Sequence, residues 1–281
     1  MDNSAKSSPP SATNDNLDEE NLPTHGPFAG ALLMGISFYS RLPTGELDHS
    51  KFDFATMVRP LAFVSLIVGI VPAMVLLILS AIGLSPLFAA VVAVGLSAIL
   101  TGAMAEDAFA DAMDGLFGGK TIAQKLEIMH DSRHGTYGVL GIVIPFTLRI
   151  FALATMAAIS PVAAASIWLA SSVLARSIAT LIAAQLPPAR ADGVSAGAGQ
   201  LPLPAASIGI ALALAISFLF CVPFVGFFRW LITLIVIFFV FEGCKALMAR
   251  LIKGQTGDTI GATQLTLEIA ILSSFMMMTA I

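Results

Sequence analysis

Residues 60–105 contain no charged side chain, and this run is long enough for two membrane spans of about 20 residues each. A break at Gly83-Leu84-Ser85-Pro86 divides it, since glycine and proline punctuate helices. The arrangement returns at 139–187, divided at Ser160-Pro161, and at 205–249, divided near Pro223. A further apolar stretch, about 260–281, predicts one last helix, whereas Pro27 to Tyr39 is apolar but too short for a span. Three hairpins of this kind bring every polar, glycine-rich loop to one face. Arg41, Lys51 and Arg59 in the first such loop mark that face as cytoplasmic, and Lys120, Lys125 and Arg133 follow suit. The opposite turns are short and nearly uncharged, with Arg229 the exception. The pattern predicts an all-α, polytopic integral membrane helical bundle of about seven transmembrane helices, preceded by a short re-entrant or interfacial helix.

Composition agrees with the pattern. The 281 residues are 57% hydrophobic and 11% charged with a mean hydropathy of +0.90, against about a quarter charged residues in soluble domains. Residues 1–24 are polar and proline-containing and predict a disordered tail, leaving 25–281 as a single membrane-embedded domain. No basic n-region and apolar h-region open the chain, so the tail does not read as a signal peptide. A net charge of −4 and the absence of a zinc-finger or helix-turn-helix pattern argue against a nucleic-acid partner. Cys221 and Cys244 are isolated in apolar segments and read as reduced, buried small hydrophobes.

Against this background, residues 105–138 form an island with six of the eighteen acids and two of the four histidines. Asp107, Asp111 and Asp114 lie at i, i+4 and i+7, so on a helix their carboxylates share one face. Unpaired, they repel; facing a hard divalent cation, they become ligands, and Mg²⁺ commonly takes one or two carboxylates together with phosphate oxygens and water. A solvated helix end is the plainer alternative. Acids directly after an uncharged span are costly to keep there, which favours a metal-diphosphate site.

Other candidates surround the triplet. Glu127 and Asp131 form an i, i+4 pair followed by Ser132-Arg133; Arg133 suits a bidentate grip on phosphate or a pairing with Glu127. Gly254-Gln255-Thr256-Gly257-Asp258-Thr259 opens the last helix, where free backbone N–H groups and the positive helix end favour phosphate, with helix capping by Asp258 or Thr259 as the alternative. Arg41 and Arg59 serve equally as phosphate ligands or positive-inside anchors. Arg149 and Arg176 fall about ten residues into their spans; an inward pairing of Arg176 with the acidic island is preferred to snorkelling. Glu242 and Glu268, inside late helices, are open to pairing with these arginines or to catalysis. His130 and His134 are of the residue type that serves as a base but read as surface residues, and His25 and His49 carry no signal.

Three blocks in this order, Asp107-x-x-x-Asp111-x-x-Asp114-Gly115, Leu126-Glu127-Ile128-Met129-x-Asp131-Ser132-Arg133-x-Gly135-Thr136-x-Gly138 and Gly254-Gln255-Thr256-Gly257-Asp258-Thr259-x-Gly261-Ala262, resemble the cobalamin synthase family, with Arg41-Leu42-Pro43 as a further match. The resemblance runs from about residue 28 to the end. It implies an inner-membrane, Mg²⁺-dependent adenosylcobinamide-GDP ribazoletransferase. Such an enzyme joins adenosylcobinamide-GDP to α-ribazole or its 5′-phosphate and releases GMP, a phosphoryl transfer from a diphosphate to a ribose hydroxyl. By position, Asp107, Asp111 and Asp114 would hold Mg²⁺ on the diphosphate and Arg133 would steady developing charge. Asp258 with Gly254, Gln255, Thr256 and Gly257 would bind nucleotide phosphates or acceptor; the base stays open. Where the family has His two residues before its first Asp, Gly after it and Thr after the second, this chain has Ala105, Ala108 and Ala112. Membrane lipid is the expected surrounding, and a homo-oligomer is compatible with the pattern. Other spaced-aspartate membrane enzymes, CDP-alcohol phosphotransferases and prenyltransferases, do not account for the Gly-Gln-Thr-Gly-Asp block. An ion-coupled transporter would need polar groups on both faces.

Overall fold

In the computed structural model, which describes residues 27–47, 53–131, 133–190 and 200–279, every regular element is a helix. The expected tail, Ser132, His25, His49 and Lys51 lie outside the described residues. In chain order the helices are α1 (Pro27–Tyr39), α2 (Phe54–Val58), α3 (Leu61–Ala81), α4 (Pro86–Thr101), α5 (Met104–Gly118), α6 (Ile122–Ile128), α7 (Thr136–Ile159), α8 (Pro161–Gln185), α9 (Leu203–Val225), α10 (Phe227–Leu251) and α11 (Gly257–Thr279). Six are long and apolar enough to cross a membrane, or seven if α4 and α5 count as one broken span. The chain is a polytopic membrane helical bundle.

The three hairpins are α3–α4, α7–α8 and α9–α10, each pair in mutual contact. Their return helices start on chemistry suited to the task. Pro86 and Pro161 occupy the first turns of α4 and α8, where a missing N–H costs nothing, and Ser160 accepts from the Ala163 N–H at 3.2 Å. The third turn differs from expectation: Pro223 continues inside α9, and the chain reverses at Gly226, whose φ of +81° suits a residue without a Cβ.

α8 is the axis of the bundle. Its span is 89% buried, against 22% for α10, and it packs on α3, α7, α9 and α11. Composition explains the difference. Ala164, Ala170, Ser171, Ala175 and Ala179 keep α8 slim, so neighbouring backbones approach closely where apolar attraction between helices is weak. α10 instead shows Phe228, Phe238 and Phe239 outward, side chains that lipid solvates at no cost.

The site is created by an interruption in this regular pattern. α4 stops after 16 residues, Gly102 and Ala103 both adopt left-handed backbone (φ +65° and +55°), and α5 leaves at 86° to α4. The second span before the acidic island is therefore shorter than the expected length of about 20 residues and breaks at Gly102, because a left-handed pair cannot propagate a right-handed helix. The Arg41 N–H donates to Leu100 O at 2.7 Å, and its side chain lies over Gly102. α5 then packs between α7 and α11. Its end is fixed by Lys125, which the charge pattern placed at the cytoplasmic surface but which is buried, its Nζ donating to Leu116 O.

Candidate active site

α5 carries the acids into contact with the start of α7 and of α11. Along it, exposure falls by position: the Asp107 side chain is 65% exposed and that of Asp111 17%, while Asp114 is buried. The gradient divides the triplet. Asp107 and Asp111 converge on His134, whose Nε2 is 3.7 Å from Asp107 Oδ1 and whose Nδ1 is 3.5 Å from Asp111 Oδ1. One ligand atom from each of the three falls within 4.8 Å of the others, a spacing that could hold one metal ion. Two carboxylate oxygens suit Mg²⁺, which completes its shell with water and phosphate oxygens; the imidazole nitrogen is a donor that softer divalent ions favour more.

Asp114 is engaged elsewhere. Its Oδ2 accepts the Gly135 N–H at 2.6 Å, tying α5 to the N-terminus of α7, where a carboxylate also complements the helix dipole. A Cβ on Gly135 would lie 2.8 Å from Asp114 Oδ1, so the bare backbone lets the carboxylate in. Asp114 is thus one helical turn from the acid pair while its carboxylate holds the loop that delivers His134.

Arg133 does not reach Glu127. It folds back on Asp131, with Nε to Oδ1 at 3.0 Å and Nη2 to Oδ2 at 2.7 Å, while its N–H donates to Oδ1 at 3.0 Å. Two residues of separation and a turn favour this local fork over a pairing across the helix. The hydrogen bonds from Arg133 hold the Asp131 carboxyl down at about 2. The guanidinium is 87% exposed, and Glu127 is exposed as well.

The glycine loop before α11 corrects another expectation. Two of the N–H groups expected to be free, those of Gln255 and Thr256, are used within the protein. Gln255 N–H donates to Pro187 O at 2.9 Å, and Ala189 N–H donates to Gln255 O at 2.8 Å, a short parallel bridge. Thr256 N–H donates to Thr259 Oγ1 at 2.9 Å, and Thr259 N–H to Thr256 Oγ1 at 3.2 Å, so the two threonines cap α11 reciprocally. Gln255, Thr256 and Thr259 are buried. Gly254 is required by the crossing chain, since a Cβ there would meet Pro187 O at 2.6 Å. What the loop presents outward is Gly257 and Asp258, and Asp258 is met by Arg190 Nη2 at 3.4 Å.

Below this surface lies a cavity of about 350 Å³. Asp107, Gly257 and Asp258 line it together with Glu106, Arg149, Arg176 and Glu268. Arg149 Nη1 donates to Glu106 Oε1 at 2.6 Å, and its Nε lies 3.3 Å from Glu268 Oε1, which also accepts from Trp168 Nε1 at 3.0 Å. The expected partner of the acids was Arg176; the structure gives that place to Arg149, because α7 runs alongside α5 while Arg176 comes from the axial helix and stacks over the Tyr39 ring at 5.0 Å. Glu242 pairs instead with Lys245 at 2.7 Å. Arg41 is at the α4–α5 break and outside the cavity lining. Of the two late-helix acids open to pairing with the arginines, Glu268 does pair with Arg149; the sequence reading placed His134 at the surface and did not single out Arg190, whose partner Asp258 lies 68 residues away.

A family model described as cobalamin-5-phosphate synthase matches residues 31–276. The chain belongs to that family. Relatives include adenosylcobinamide-GDP ribazoletransferases of Rhizobium etli (strain CIAT 652), 38% identical over 84% of this chain and 92% of the relative. Those of Bradyrhizobium diazoefficiens and a Sinorhizobium species are 39% identical over 86% and 91%, and 36% identical over 89% and 97%, of this chain and of the relative respectively. No solved structure matches significantly. Membership covers all three sequence blocks and both walls of the cavity, and it favours neither the CDP-alcohol nor the prenyl-diphosphate reading.

Proposed function

We propose that the chain is an adenosylcobinamide-GDP ribazoletransferase of the cell inner membrane whose acidic face looks into the cytoplasm. A ribose hydroxyl of α-ribazole or its 5′-phosphate attacks the phosphorus that bears the cobinamide, the bond to the bridging oxygen breaks, and GMP leaves. Family membership at 36–39% identity supports the reaction class. The observation that carries the reading is the convergence of Asp107, Asp111 and His134 beside a cavity that Asp107 and Asp258 also line.

Asp107 and Asp111 would hold Mg²⁺, which when bound neutralises diphosphate oxygens and the charge gathering on the departing phosphate. His134 lies against both carboxylates and is part-exposed, placed to take the hydroxyl proton or to orient the acid that does. Arg133, exposed and one residue before His134 in the chain, and Arg190, across from Asp258, are cations open to phosphate oxygens. Buried Gln255, Thr256 and Thr259 act indirectly by fixing Gly257 and Asp258 at the cavity. The outward apolar faces of α9 and α10 meet lipid.

The test is GMP release by the protein reconstituted in vesicles with adenosylcobinamide-GDP, α-ribazole 5′-phosphate and Mg²⁺, beside Asp111→Asn. The joined corrinoid is expected from the unaltered protein and not from the variant. No product with any divalent ion would sink the reading.

A further inference from the structure

The helix that carries the acid pair begins without a side-chain cap. Ala103 precedes α5 in left-handed backbone, and its methyl group offers no acceptor to the N–H groups of the first turn, the turn that holds Glu106 and Asp107. The far end of α5 is tied twice, by Asp114 Oδ2 to the Gly135 N–H at 2.6 Å and by Lys125 Nζ to Leu116 O. The near end is tied by Glu106, which accepts from Arg149 Nη1 at 2.6 Å. Asp107 and Asp111 lie between these ties.

Arg149 is itself held. Its Nε lies 3.3 Å from Glu268 Oε1 of α11, and that oxygen accepts from Trp168 Nε1 of α8 at 3.0 Å. The contacts Trp168–Glu268–Arg149–Glu106 thus run from the axial helix to the residue before Asp107, and all four side chains belong to buried residues. They join α5 to α7, which opens just after His134, and to α11, whose first turn carries Asp258. Charges inside a span are costly, and a buried ion pair adds little stability over apolar residues of the same volume. What such a set adds is direction: it accepts one arrangement of its helices where apolar contacts would accept several.

Resting on the reading of Asp107 and Asp111 as the acids that hold a divalent ion, we propose that Arg149 is a positioning residue for that site. Gripping Glu106 on one side and Glu268 on the other, it sets where the first turn of α5 stands relative to α7 and α11, and with it the placing of the two carboxylates against His134 and Asp258. Charge and position predict opposite signs. A neutral residue at 149 removes a cation and leaves Glu106 uncompensated, so electrostatics alone would tighten the binding of a metal ion by the neighbouring acids. Lost position loosens it, because a small divalent ion demands near-ideal ligand geometry.

The experiment is Mn²⁺ titration of the full chain in lipid nanodiscs, followed by electron paramagnetic resonance, for the unaltered protein, Arg149→Met, Arg149→Lys and Asp111→Asn. Loss of folded protein lowers the amount of ion bound without changing the Kd of the molecules that remain, so a merely structural role leaves the Kd in place. Arg149→Met is expected to weaken Mn²⁺ by about tenfold, the lower end of what a lost supporting residue costs a metal site. Arg149→Lys, which keeps the charge but grips one acid at a time, is expected to fall between the two. Mn²⁺ held as tightly or more tightly by Arg149→Met would overturn the proposal; if that variant does not fold, an unchanged Kd in Arg149→Lys overturns it. The two readings fail separately. Affinity that survives Asp111→Asn removes the metal site and the positioning role with it, whereas affinity lost in Asp111→Asn but kept in Arg149→Met removes the positioning role alone.

Discussion

Arg149 and Glu106, 43 residues apart in sequence, meet at 2.6 Å with both side chains buried, and this contact joins α7 to the helix that carries the acid pair. Removing one partner strands a charge among helices; the usual cost is about 3–5 kcal/mol. Arg149→Met is therefore expected to lower the unfolding midpoint in detergent strongly, since it abandons Glu268 as well as Glu106. Glu106→Gln, which keeps an oxygen for Arg149 and leaves Glu268 in place, is expected to cost markedly less. Equal losses would mean that Glu268 contributes nothing to the pairing.

Asp111 and Asp114 separate in function although both belong to one motif. Asp111→Asn removes a charge from the cluster with Asp107 and His134 and is expected to reduce turnover by at least about 100-fold, with Mn²⁺ binding weakened in parallel. Asp114→Asn keeps an oxygen for the Gly135 N–H and gives up only the charge-assisted part of that hydrogen bond, about 1 kcal/mol of stability. Mn²⁺ titration followed by electron paramagnetic resonance distinguishes them: Asp114→Asn is expected to retain the site. Loss of the ion in Asp114→Asn would place that carboxylate in the metal shell.

His134 offers a second handle on the same cluster. His134→Ala is expected to lower kcat by about 100-fold or more, the range of a lost proton-transfer group, with KM for the corrinoid substrate little changed because the imidazole lies against Asp107 and Asp111. A pH–rate profile that keeps its shape in the variant would show that another group moves the proton.

The bundle was legible because its signal is long and repeated: apolar runs of two spans with few charges, each broken by Gly or Pro, gave the turns of α3–α4 and α7–α8 where they occur and missed the third turn by about three residues. The bend at Gly102 was not legible, since nothing local demands that Ala103 adopt φ +55°; packing around Arg41 decides it. Of the site, the spaced aspartates were readable from period alone. The glycine loop was misread for a physical reason. The Gln255 N–H is free only until the chain at 187–189 crosses the loop, a contact between segments more than 60 residues apart that leaves no mark beyond the glycine itself. Arg149 and Arg176 look alike in sequence, and only the neighbours supplied by α5 and α1 make one a strut and the other an unpaired donor.

That crossing predicts the effect of Gly254→Ala. A Cβ at 2.6 Å from Pro187 O and 3.0 Å from Ala189 N has backbone on every side, so the strands of the clasp must part. The expected cost is about 1–3 kcal/mol of stability, with faster hydrogen exchange at the Ala189 amide and weaker binding at Asp258, which the clasp aligns with Arg190. Unchanged exchange at Ala189 would mean that the loop accommodates the methyl without opening.

Gly102→Ala tests the bend that brings α5 across α7. Two penalties act there: a left-handed φ of +65°, worth about 1–2 kcal/mol for a residue with a Cβ, and a contact of 2.8 Å between that Cβ and Arg41 Nε. They are separable because the second disappears in an Arg41→Ala background. Unfolding midpoints for the two single variants and the double variant are expected to show Gly102→Ala costing less when Arg41 is absent. Equal cost in both backgrounds would mean that the exposed guanidinium swings aside freely and that backbone strain alone matters. Turnover is expected to fall more than stability, because α5 turns at Gly102 only a few residues before Glu106 and Asp107, and a small change in the 86° bend displaces both from the cavity they line.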